Sequence, residues 1–137
     1  MSKEKTAFIP KQYFAVVAVL LAIMMSVLDG TIMNIALPTL AHDFDVTPSN
    51  AIWIVNAYQL VITMTLLSFA SLGDIYGYRR IFLTGISIFV GASAACAFSD
   101  SFWMLTVSRI IQGFGAACVM SVNTALIRLI SPPQILG

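Results

Sequence analysis

Four nearly uninterrupted apolar stretches, residues 13–37, 51–72, 81–98 and 102–127, occupy most of this 137-residue chain. A helix needs about 20 apolar residues to cross the hydrocarbon core of a bilayer, where it must satisfy its own backbone N–H and C=O groups. A soluble four-helix bundle would need a charged face on each helix, and none of the four stretches carries one. Charged residues make up 9% of the chain, against about 25% in soluble domains. The chain therefore reads as an all-α integral membrane protein with four spanning helices, preceded by a cytoplasmic tail over residues 1–12.

Charge distribution sets the expected orientation. Lys3, Lys5, Lys11, Arg79, Arg80 and Arg128 share one side if the four spans alternate, whereas the opposite loops hold His42, Asp43, Asp45 and Asp100 and no Lys or Arg. The positive-inside rule then places both ends of this segment in the cytoplasm of a cell that holds the chain in its plasma or inner membrane. A cleaved signal peptide would have a shorter apolar core and a small-residue cleavage site, which residues 13–37 lack. Pro38 is expected to stop the first helix, followed by an outer loop of about ten residues with Thr47, Ser49 and Asn50 as possible caps. Ser99–Ser101 should form a tight turn that caps the fourth helix, and Pro132 and Pro133 should end it. Trp53 and Trp103 then fall at the outer interface, and Tyr13, Phe14, Tyr76 and Tyr78 at the inner one.

Two charges lie inside the apolar stretches. Asp29 sits in LDGTIMNIALP and Arg109 in LTVSRIIQGFGAA. An acid at the centre of a membrane helix costs ~3 kcal/mol on insertion scales, so such residues mark transport, proton relay or ligand binding. Counting along oppositely directed helices puts both charges about 10 Å below the outer surface, where they are expected to face a common cavity. Gln112, Gly113, Ala116 and Ala117 share the face of Arg109, while Ala22, Ser26, Gly30 and Asn34 recur at steps of four on the first helix. Ser87, Gly91 and Ala95 form a similar stripe on the third. Small-residue stripes read first as packing seams. Asn34, Trp53, Tyr58 and Gln112 are the residues expected to line a pocket beside the two charges.

The cytoplasmic turn SLGDIYGYRRIF breaks a local rule. Asp74 at a helix C-terminus and Arg79 and Arg80 at a helix N-terminus all oppose the helix dipoles, which points to pairing across the turn or a gating role. Gly77 supplies the backbone freedom that the turn requires. Cys96 and Cys118 are expected about 20 Å apart in depth and should not bridge. The sequence contains no metal-ligand spacing, phosphate-cradling loop or nucleophile triad, so neither an enzyme nor a nucleic-acid partner is expected.

These motifs resemble the major facilitator superfamily. Residues 70–82, ASLGDIYGYRRIF, are similar to its cytoplasmic signature between helices 2 and 3, and LTVSRIIQGFGAA to its helix 4 signature. LDGTIMNIALP resembles the helix 1 signature of its drug:proton antiporters, and WIVNAYQL resembles helix 2 of the fourteen-helix EmrB/QacA type. The resemblance implies that residues 13–137 are the first four helices of an N-terminal six-helix bundle, with the remaining helices supplied by a longer chain. It further implies export of lipophilic or cationic small molecules from the membrane, driven by protons without a cofactor. On this reading Asp29 binds the proton or cation, Arg109 couples to it, and Asp74, Gly77 and Arg79 form the gate latch. Ala70 and Tyr78 depart from the signature's usual glycine and arginine, leaving Arg80 to compensate. Two alternatives stand beside this one: a stand-alone four-helix small multidrug exporter acting as an oligomer, and a truncated membrane protein that transports nothing.

Overall fold

The computed structural model describes residues 9–130, with side chains for 13, 14 and 16–125. It contains four helices, α1 (Ile9–Asp43), α2 (Pro48–Tyr76), α3 (Tyr78–Ala97) and α4 (Phe102–Ile130), each long and apolar enough to cross a membrane. The expected caps at Pro132 and Pro133 and the basic residues Lys3 and Lys5 lie outside the described residues.

The connections are shorter than the sequence suggested, for identifiable reasons. Pro38 does not end α1, which continues to Asp43. A proline removes a single N–H, the one that would bond to Asn34 C=O, and membrane helices tolerate that loss where neighbouring groups compensate. The helix stops instead at a Schellman motif, in which Val46 N–H donates to Ala41 C=O at 3.0 Å and Asp45 N–H to His42 C=O at 3.2 Å. Asp45 takes the left-handed position at φ 51°, a conformation that Asp adopts more readily than most residues. Thr47 then caps α2 by accepting from Asn50 N–H at 3.3 Å, with Pro48 at the first helical position. The loop between the two helices is thus residues 44–47 rather than ten or so. At the start of α4, Ser101 Oγ accepts from Met104 N–H at 3.2 Å, as the sequence indicated. At its beginning, α1 takes in residues 9–12 of the expected tail.

Helix α4 is the hub. Most of its span is buried, whereas α1 buries little beyond Ala22 and Ala41, and both α2 and α3 pack along α4. Small side chains make this possible. A methyl group added to Gly115 would lie 2.6 Å from Phe89 N and 2.7 Å from Gly85 O, so the α3 and α4 backbones touch at this point. The seam on α3 is therefore the face of Gly85, Phe89 and Ala92, all buried, and not the expected stripe of Ser87, Gly91 and Ala95. Tyr58, Ile62, Phe89 and Ala116 form the apolar core, with Met120 packed against it.

This seam carries a direct prediction. Gly115→Ala forces backbone apart and should lower stability by about 1–3 kcal/mol, the usual range for overpacking. Gly91→Ala, whose new methyl meets nothing within 4 Å, should leave it unchanged. Thermal denaturation of the two variants in detergent checks the contrast.

Candidate functional site

Helix α1 is tied to the hub chiefly through one polar cluster. Arg109 projects from the buried face of α4 toward α1, and its Nη1 donates to Asp29 Oδ2 at 2.7 Å. The same nitrogen donates to Gln112 Oε1 at 2.8 Å, and Gln112 Nε2 donates to Asp29 Oδ1 at 3.0 Å. Each carboxylate oxygen thus has its own donor, one of them charged. Gln112 lies one helical turn from Arg109, so α4 alone presents both groups to the acid. From α2, the Tyr58 ring lies under the guanidinium, 4.2 Å from ring centroid to Arg109 Cζ. From α3, Cys96 Sγ donates a weak hydrogen bond to Gln112 Oε1 at 3.7 Å. All four helices meet at this cluster.

Burial within the cluster is unequal. The Arg109 side chain is 1% exposed, whereas the Asp29 side chain is 20% exposed. An isolated charge as deeply buried as Arg109 would be strongly disfavoured, and its attraction to Asp29 offsets that desolvation only because the geometry is close and hydrogen-bonded. Asp29, in contrast, reaches the rim of a groove of about 390 Å³ between α1 and α3, lined otherwise by Leu21, Met24, Met25, Leu28, Ile32, Phe89 and Ser93. Among these four helices the acid reaches a groove and its cation does not. This arrangement suits a carboxylate that changes partner or protonation state beside a fixed positive charge.

Asn34 and Trp53 lie outside the hydrogen-bonded cluster. Both are exposed, and Trp53 lines a separate groove with Asn50, Ala57, Phe102, Trp103 and Thr106. Gln112 and Tyr58 belong to the cluster itself. Cys96 enters it without having been singled out, because its depth matches that of Gln112 on the neighbouring helix and a thiol gives little polar signal in a sequence. The two cysteines are free.

The second group of residues sits at the α2–α3 turn. The connection is Gly77 alone, at φ 93° and ψ 135°, a conformation that essentially only glycine adopts without strain. Its N–H closes α2 by donating to Gly73 C=O at 3.0 Å. Asp74 is not paired with either arginine among the described residues, and Arg79 and Arg80 are exposed. Instead the Tyr78 hydroxyl donates to Asp74 Oδ1, while its ring covers buried Gly73 so closely that a methyl there would lie 2.7 Å from Tyr78 Cδ1. The residue that departs from the expected signature is therefore the one that engages the acid. The i to i+4 spacing of Asp74 and Tyr78 could have indicated this pairing, but the neighbouring arginines were the stronger signal.

Comparison with known proteins gives a family. The profile of the Major Facilitator Superfamily matches residues 19–137. The chain is 55% identical to the uncharacterized transporter YebQ of Escherichia coli K12 over 94% of its own length and 28% of that protein. It is 39% identical to the drug efflux pump JefA of Mycobacterium tuberculosis, covering 86% of this chain and 23% of that one. It is 38% identical to the riboflavin transporter RibZ of Clostridioides difficile, covering 85% of this chain and 26% of that one. The chain thus spans about a quarter of the length of these relatives. No solved structure matches it significantly.

Proposed function

This chain belongs to the Major Facilitator Superfamily, a family of transporters and not of enzymes, and from that premise we propose that it supplies the opening helices of a proton-driven exporter of lipophilic, cationic small molecules. Membership makes it a multi-pass membrane protein and displaces the small multidrug exporter alternative. Transport of small organic molecules agrees with relatives named for drug efflux and for riboflavin. The greater length of those relatives supports the reading that further helices of the same polypeptide complete the transporter, fourteen spans in all on the helix 2 resemblance. The basic residues Arg79 and Arg80 support a cytoplasmic side for the α2–α3 turn.

The observation that carries the proposal is the unequal pair: Arg109 buried and fixed, Asp29 hydrogen-bonded to it yet open to a groove. A cation entering the groove competes with Arg109 for the carboxylate, and so does a proton. When one displaces the other at Asp29, outward movement of substrate is linked to inward movement of a proton. Gln112 steadies the carboxylate during the exchange. At the cytoplasmic turn, the Tyr78 to Asp74 bond and the fixed bend at Gly77 act as the latch that follows the two states. The membrane supplies lipid around the exposed faces of α1, and the proton gradient supplies the energy, so no cofactor is required.

The test uses the complete protein in proteoliposomes loaded with ethidium as the probe cation. An imposed pH gradient should drive ethidium across the membrane, and a protonophore should stop it. Movement that ignores the pH gradient would contradict proton coupling.

A further inference from the structure

Tyr58 lies in the cluster around Asp29, yet the ion pair and the amide already account for the carboxylate without it. Its side chain is buried on α2, and its ring carries the Arg109 guanidinium at 4.2 Å. Its hydroxyl has no hydrogen-bond partner among the described residues, and neither does Arg109 Nε beside it. Buried hydroxyls are almost always bonded, so an orphaned one in a charged cluster calls for a reason. The two halves of the side chain answer to different protonation states of Asp29. While Asp29 is ionised, Arg109 is neutralised by it and the hydroxyl is idle. Once Asp29 takes up a proton, Arg109 keeps its charge, since a guanidinium does not release its proton, and loses its counter-ion. The π face of Tyr58 then becomes the main support for that buried cation. The neutral carboxyl, no longer held by charge, gains an O–H that needs an acceptor, and a phenol can both accept and donate.

We propose that Tyr58 is the positioning residue that sets the proton affinity of Asp29, its ring holding Arg109 and its hydroxyl receiving the protonated carboxyl. The inference rests on the proton-coupled reading above. The titratable and charged groups around the Asp29–Arg109 pair are Arg109 itself from α4, Tyr58 from α2, whose ring lies against Arg109, and, through Gln112, Cys96 from α3. Both contributions of Tyr58 favour the protonated acid, so both act in one direction. Removing the hydroxyl relieves an orphaned polar group in the ionised state and removes a partner from the neutral one. Removing the ring as well withdraws support from Arg109 when Asp29 is neutral.

Ethidium binding to the purified complete protein, measured by fluorescence anisotropy from pH 5 to 9, tests this. Wild-type binding should weaken in acid with a midpoint that Asp29→Asn abolishes. Tyr58→Phe, which keeps the ring, should move that midpoint about one pH unit toward acid, tenfold in proton affinity. Tyr58→Leu should move it further. A midpoint in Tyr58→Phe equal to that of wild type, or moved toward alkali, would overturn the role of the hydroxyl, and Tyr58→Phe is close enough in shape for this arm to stand if the leucine variant does not fold. A wild-type curve without a midpoint would instead remove the proton-coupled reading on which the inference rests.

Discussion

Asp29→Asn should reduce ethidium export driven by a pH gradient to the level seen with a protonophore, while the protein still reaches the membrane in normal amount. Asparagine keeps an oxygen where Arg109 Nη1 now bonds at 2.7 Å, so the hydrogen bond that docks α1 on α4 survives in neutral form. What is lost is the capacity to take up a proton and the negative charge that attracts a cation. The variant therefore separates coupling from folding more cleanly than alanine would. Alanine leaves Arg109, 1% exposed, with no acceptor from α1. Efflux assays on matched membrane quantities, with the protonophore control alongside, check the prediction, and export that persists at half the wild-type rate or more would contradict it.

The second large effect is expected at Arg109. Arg109→Ala removes the donor to both Asp29 Oδ2 and Gln112 Oε1 and the cation above Tyr58, leaving an acid half-enclosed in apolar surroundings. Breaking a fully buried pair from one side costs about 3–5 kcal/mol, and the loss here should be smaller because Asp29 is 20% exposed and keeps the Gln112 donor. Without the fixed cation beside it, the carboxylate has no partner to exchange against, so the exchange that export requires is lost. The variant should thus be both less stable and inactive. Arg109→Lys restores a charge and donors but neither the flat stack on Tyr58 nor the rigid planar direction of the Nη1 donors, so it should recover only part of the loss. Thermal denaturation in detergent, read together with efflux, orders the three proteins. An alanine variant as stable as wild type would show that the pair does not hold α1 in place.

Much of this site could be read in the sequence because charges inside apolar helices have few permitted neighbours. Asp29 and Arg109 are expected from their depth to face one cavity; the structure joins them by a hydrogen bond, but only Asp29 reaches a groove and Arg109 is buried. The reckoning nevertheless assumed that α1 stops before Pro38, whereas it runs to Asp43. The depth counted from that earlier helix end stands as an expectation only; what the structure shows is that the two charges lie level enough to bond across α1 and α4. What could not be read depends on partners. The spacing of small residues on α3 is equally good for the Ser87–Gly91 face and for the Gly85–Ala92 face, and only the close approach of Gly115 on α4 selects the second. Tyr78 was obscured by a motif in which arginine is usual, and the short range of its bond to Asp74 makes it a local feature rather than one of the fold. Tyr58 was legible as a polar-tipped aromatic on α2, but its place under Arg109 depends on how α2 leans on α4.

Coupling depends on one exchange, a proton against a cation at Asp29. Its most direct test is the number of protons released when ethidium, in saturating amount, binds to the purified complete protein in weakly buffered solution at a pH well on the acid side of the midpoint of its pH dependence. The exchange predicts a release approaching one proton for each ethidium bound, and none from Asp29→Asn. Binding without release, or an equal release from the asparagine variant, would contradict it.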